Sequence, residues 1–200
     1  MIRDLLPALS FTISRSAWPL IFASDSEGAS STGFGGFGIV AQVVSAAEWS
    51  QTLRVGIQPN FTVCRLDGST HHLRNQLKEL KARIPVPRIP SQILEPSRHW
   101  VPIASGRWKY REHITLTEGR ATNILLQRLA LVPSAHGKRH IGLCDNMGWS
   151  AATAKGRSPA FALNQLLRRR TSLIIATDMQ VLHPWVDTHR MPADSLSRQS

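Results

Sequence analysis

Cysteine is scarce in this chain: Cys64 and Cys144 are the two in 200 residues. So small a number excludes the stapled framework of a disulfide-rich secreted domain. Cys144 falls inside an apolar run, where a reduced, buried thiol is expected. The Asn60-Phe61-Thr62 sequon carries no weight without a secretory route, and the chain reads as intracellular, of cytoplasm or nucleus, rather than secreted. Long apolar runs are missing too, and nothing approaches the roughly 20 residues of a membrane-crossing helix. The N-terminal MIRDLLPALSFTISRSAWPLIFAS has some of the composition of a targeting peptide, but Asp4, Pro7 and Pro19 interrupt it, so residues 1–19 are read as an extension. No internal repeat or low-complexity tract occurs. Acid is the last shortage. Against 24 Lys+Arg stand 13 Asp+Glu, a net charge of +11 and a pI near 11.2. That balance favours a polyanionic partner, nucleic acid or an anionic surface.

Two hundred residues with 42% apolar content make one domain with a real core the expectation. Leu20-Ile21-Phe22-Ala23 reads as a buried strand with Asp25 at its exit, followed by the glycine- and serine-rich loop SEGASSTGFGG. Phe37 to Val44 reads as a second strand, hairpin-paired with the first. Residues 51–98 behave differently. Pro85, Pro87, Pro90 and Pro96 break the second half, LRNQLKELKAR can form one amphipathic helix, and the segment reads as a surface insertion within a domain of residues 20–198. Its His71-His72 pair lacks a second ligand pair at zinc-like spacing, so solvated histidines are the reading there.

Trp100 to Ala104 reads as a third strand, placed at an edge or a bulge by Pro102. HITLTEGRATNILLQRLALV reads as a helix, His140 to Cys144 as a fourth strand, and Ser158-Pro159 as the cap and first position of another helix. A final strand is expected within Gln180 to Thr188, and a short helical turn carries Asp194 after Pro192. Hairpin strands first and helix-separated strands later predict an α/β fold, α+β mixed, with helices on the faces of a mixed sheet.

Within that order, acids occupy telling positions. Asp25 and Asp145 end the first and fourth strands, and adjacent parallel strands would bring them to one sheet edge, where ligands collect. Glu118 heads an apolar helix stripe through Ala121, Leu125 and Leu129, where a carboxylate is costly unless something binds it. A glutamate complementing the helix dipole is the competing reading, as a simple turn role is for either aspartate. Four converging carboxylates, Asp194 included, would repel one another, and divalent cations relieve that repulsion. Oxygen-only ligands favour Mg²⁺ or Mn²⁺ over zinc. Two such ions about 4 Å apart serve phosphodiester cleavage.

FASDSEGASSTGFGG, EHITLTEGRA, LCDNMGWSAATAKGRSPAFALNQLLRR and WVDTHRMPADSLSR together resemble the ribonuclease H domain of retrotransposon reverse transcriptases. The resemblance spans roughly residues 20–50 and 100–198. It implies a ribonuclease H-like fold, a five-stranded mixed sheet flanked by helices. It also implies that Asp25, Glu118, Asp145 and Asp194 are the catalytic acids and ligands of two Mg²⁺ ions, with Mn²⁺ as substitute. The implied activity is endonucleolytic hydrolysis of the RNA strand of an RNA–DNA hybrid. The implied partners are that hybrid and a polymerase domain of a parent polyprotein, with no membrane. Lys155, Arg157, Ser158, Arg168 and Arg169, with Arg170 beside them, are the expected phosphate contacts, although a solvated helix face explains the arginine run equally well. Cellular members use a mobile histidine before the last aspartate, for which His183 and His189 both stand in range. The alternative function is an inactive nucleic-acid-binding or structural module of the same fold.

Overall fold

The structure, a computed structural model, describes residues 15–29, 33–56 and 89–199. Its centre is a five-stranded mixed sheet. Strand β2 (Gly36–Val43) runs antiparallel to both of its neighbours, β1 (Ala17–Ser26) and β3 (Val101–Arg107). Strands β4 (Arg139–Leu143) and β5 (Gln180–Leu182) add in parallel on the other side of β1, giving the order β3-β2-β1-β4-β5. Helices α1 (Ala46–Gly56), α2 (Ile114–Ala130), α3 (Met147–Lys155), α4 (Phe161–Thr177) and α5 (Asp194–Arg198) pack around it. This is the helix-flanked mixed sheet expected of a ribonuclease H-like fold. Among the described residues, no helix is long and apolar enough to cross a membrane.

Alternation along β1 divides the core. Ile21 and Ala23 join Val40, Ile141, Leu143, Trp49, Val186 and Ala193 on one face. Phe22 joins Ile39, Ala41, Leu125, Leu126 and Leu129 on the other, under α2. A third cluster, Cys144, Trp149, Leu163, Leu166 and Leu167, locks α3 against α4. Cys144 is a free, buried thiol, as its apolar setting implied. Gly119 lets α2 approach that cluster: a Cβ there would lie 2.9 Å from Trp149 and 3.0 Å from Leu166.

Pro102 does mark an edge strand, and the β2–β3 register shifts beside it, between Ile39 and Val40. Other expectations need correction. Helix α4 starts at Phe161 with Ala160 at the cap position, not at Ser158-Pro159. The Ser158 hydroxyl instead accepts from Ala160 N, and the Asn164 side-chain amide bonds both Ser158 backbone groups, closing the loop one turn earlier. Only Gln180–Leu182 form β5, because Pro184 has no N–H to give a ladder; pairing resumes as a single bridge between Cys144 and Trp185. Strand β1 begins at Ala17, inside the stretch read as an extension. At the ends of the 51–98 segment, Thr52 in α1 and Ile93 in a 3-10 turn (Ser91–Leu94) are fully buried, while Gln51, Arg54, Ser91 and Gln92 beside them are exposed. Asn60, Cys64, His71-His72, LRNQLKELKAR, Pro85 and Pro87 lie outside the described residues.

Candidate active site and metal centre

The parallel register of β1 and β4 builds the site. Ala23 pairs with Leu143, so two residues further on Asp25 and Asp145 emerge side by side at the same sheet edge. Asn146 caps α3 by accepting from Trp149 N at 2.9 Å, which turns the chain directly after Asp145. Glu118 reaches the same point from the second turn of α2, five residues after its His113 cap, and is 2% exposed. A buried position beyond the first turn rules out a solvent-facing dipole role for it.

Carboxylate oxygens of Asp25, Glu118 and Asp145 lie within 4.8 Å of one another. Burial raises the Glu118 pKa to about 9, reinforced by the charges of Asp25 and Asp145. Burial likewise raises Asp25 to about 6, with Asp145 and Asp194 adding repulsion while the Ser197 hydroxyl opposes it. Asp145 is pushed up too, chiefly by burial. One Glu118 oxygen accepts from Ser26 N at 3.1 Å, while its Oε2 is buried with no hydrogen-bond partner. A buried, unpaired carboxylate oxygen facing two more acids has two remedies, a proton or a cation.

Of the four predicted acids the structure brings three together. Asp194 lines the same cleft of about 290 Å³, but both its oxygens accept from Arg198, from Nε and Nη2, each at 2.9 Å. It stands outside the three-carboxylate group. Lys155 and Arg157 are exposed at the end of α3 and just after it, Ser158 is half-buried, and Arg168 and Arg169 are exposed on α4. Arg170 departs from the expected phosphate-facing run. Its guanidinium donates to Val181 O at 2.7 Å, tying α4 to β5, and burial lowers its pKa to about 10. His183 cannot be a mobile histidine: it is buried against Gly142, its Nδ1 is 3.1 Å from Gly142 O, and burial drops its pKa to about 3. His189 is exposed, in the 3-10 turn Thr188–Arg190 whose Thr188 lines the cleft.

Several residues at the site were not singled out from sequence. The Ser197 hydroxyl reaches Asp25, Trp108 Nε1 donates to the Ser26 hydroxyl at 2.9 Å, and Trp185 Nε1 donates to Asp145 O at 2.7 Å. Ser197 and Arg198 lie within the PADSLSR block, so a signal for them existed; nothing local marks Trp108 or Trp185.

No family model matches the chain, and no curated protein matches it. Solved structures similar in chain trace include these three. The N-terminal ribonuclease H domain of a Mycobacterium tuberculosis protein, fused to maltose-binding protein, aligns at 14% identity and a TM-score of 0.49, covering 90% of this chain and 91% of that one. The foamy viral protease-reverse transcriptase in complex with an RNA/DNA hybrid aligns at 10% identity and a TM-score of 0.44 over 95% of this chain. The native prototype foamy virus enzyme gives 11% and 0.41 over 94%. This chain spans 22% and 21% of those two viral polypeptides.

Proposed function

We propose that the chain is a metal-dependent endoribonuclease that hydrolyses the RNA strand of RNA–DNA hybrids, as part of or derived from a retroelement reverse transcriptase. The observation that carries this reading is the convergence of buried Asp25 and Glu118 with half-buried Asp145 at the carboxyl ends of two parallel strands. Three acids packed against one another are relieved by a proton or by a cation, and the unpaired Glu118 Oε2 offers a ligand atom to the second. The grouped ligand atoms are all carboxylate oxygens, which fits Mg²⁺ or Mn²⁺ and disfavours zinc. Bound there, such a cation supplies Lewis acidity to the phosphodiester and to an attacking water.

The chain's own residues do the rest. Asp25, Glu118 and Asp145 would hold the cation, and Asp194, now paired with Arg198, would be the fourth carboxylate of the site. Exposed Lys155, Arg157, Arg168 and Arg169, with Ser158, fix the backbone phosphates and so set where the scissile bond lies. Selection of RNA comes from contacts to 2′-hydroxyls across the minor groove.

A second reading, an inactive nucleic-acid-binding module of the same fold, is favoured by one observation: Asp194 is paired with Arg198 rather than turned to the other acids. Incubation with Mg²⁺ and labelled hybrid, duplex DNA or single-stranded RNA separates the two. The nuclease reading expects internal cuts in the RNA strand of the hybrid alone. Binding of the hybrid with no cut in any substrate supports the inactive module.

A further inference from the structure

We infer that Ser197 is a positioning residue for Asp25: its hydroxyl holds one carboxylate oxygen so that the other is presented to the cation site. This rests on the metal-dependent reading above. Ser197 is 1% exposed, and its Oγ lies 2.5 Å from Asp25 Oδ2 and 2.8 Å from Asp194 O. The first contact falls in the range of a hydroxyl donating to an ionised carboxylate, and such charge-assisted bonds are about twice as strong as neutral ones. A carboxylate turns broadly about its last torsion, so a donor fixed on one oxygen decides where the other points. Glu118 is held the same way, with Oε1 on Ser26 N and Oε2 unpartnered. Each of the two buried acids is therefore gripped by a protein donor on one oxygen.

The packing beneath Ser197 supports the same assignment independently. Gly38 stands opposite Asp25 in the β1–β2 register. A Cβ at Gly38 would lie 2.7 Å from Ser197 N, 2.8 Å from Ala193 O and 2.9 Å from Leu196 Cβ. Two of those three atoms are backbone, so a side chain at 38 forces α5 away from the sheet. Absence of a side chain at Gly38 is what lets a five-residue helix lie directly on β2 and lower Ser197 onto Asp25. Ala193, fully buried, and Met191, 5% exposed, anchor the entry to that helix in the core.

Partners that orient a metal ligand from behind typically contribute 10–100-fold in metal affinity. Calorimetric titration of the full chain with Mn²⁺ tests the assignment without relying on turnover. Ser197→Ala is expected to weaken Mn²⁺ binding by roughly 10-fold, while Ser195→Ala, an exposed change on the same helix, leaves it at the wild-type value. Gly38→Ala, which displaces α5 and with it both Ser197 and Asp194, is expected to weaken Mn²⁺ binding at least as much as Ser197→Ala does. It stands in if Ser197→Ala does not fold. Wild-type affinity in Ser197→Ala, or in Gly38→Ala standing in for it, overturns the assignment and leaves the metal site standing; a lowered Tm with that unchanged affinity shows a merely structural serine. Failure of the wild-type chain to bind Mn²⁺ overturns the metal reading, and this inference with it.

Discussion

Glu118 carries the largest electrostatic burden in the site, and its consequences for stability have a definite sign. Its carboxyl titrates near 4.5 when free and at about 9 in the fold, so the folded state holds a proton that the unfolded state releases. The contribution of Glu118 to the stability of the metal-free protein is therefore fully present below about pH 4.5 and is eroded as the pH rises toward 9. Glu118→Gln keeps an acceptor for Ser26 N and removes the charge. It should raise the Tm of metal-free protein by several degrees at pH 8, hardly at all at pH 5, and abolish any further rise on adding Mg²⁺, all read from thermal melts. His183 works in the other direction. Burial lowers it to about 3 from 6.5, so the unfolded state takes the proton first and stability falls as the pH drops below 6.5. At pH 5 that loss amounts to about 2 kcal/mol. In denaturant titrations across pH 5–7, His183→Gln should flatten this acid limb, and an unchanged slope would count against a buried neutral imidazole. The acids were legible in the sequence because each falls where an apolar pattern ends or is interrupted. Arg170 was misread although its phase was available: it lies three residues after Leu167 and four before Ile174, on the apolar stripe of α4 rather than its outer side.

At the level of elements, α5 decides how the site is completed. Its Arg198–Asp194 pair is exposed, with the Arg198 side chain 58% accessible, and pairs of this kind contribute little to stability. Arg198→Gln should therefore leave the unfolding free energy almost unchanged in denaturant titrations. It should also tighten Mn²⁺ binding or raise its stoichiometry, since Asp194 is then free to turn to the other acids; calorimetry shows either outcome. Strands β1 to β4, α2 and α5 were readable because their apolar periods are clean and their ends are marked by turn residues. Two helices escaped. The pattern of the sequence did not reveal α1, and it suggested one helix, not two, between the fourth and fifth strands. Helix α3 is nine residues of mostly small side chains, and its start is signalled by Asn146 acting as a cap, a signal overshadowed by Asp145 beside it. Strand β5 was drawn too long because the apolar VLHPWV hides the interruption at Pro184.

For the whole molecule, an excess of positive charge in the sequence accompanies a local convergence of acids. Hybrid binding should weaken steeply with added salt. Arg168→Ala with Arg169→Ala should lower the slope of log affinity against log salt by roughly one for each phosphate that is no longer neutralised. Equal slopes before and after would make those arginines a solvated face. The overall layout, a hairpin sheet extended by parallel strands, could be argued from the order of patterns alone; that α5 packs on β2 at Gly38 could not, since it depends on packing between segments far apart in sequence. Everything proposed for the molecule turns on whether Asp25, Glu118 and Asp145 hold a catalytic divalent cation. Cleavage of an RNA-strand-labelled hybrid by wild type and by Asp145→Asn, each with Mg²⁺ and with a chelator, decides it. Mg²⁺-dependent internal cuts by the wild type are expected, none with chelator, and a loss of at least about 100-fold in Asp145→Asn. Equal cleavage by the two proteins, or no cleavage by either, would contradict a catalytic cation at these acids.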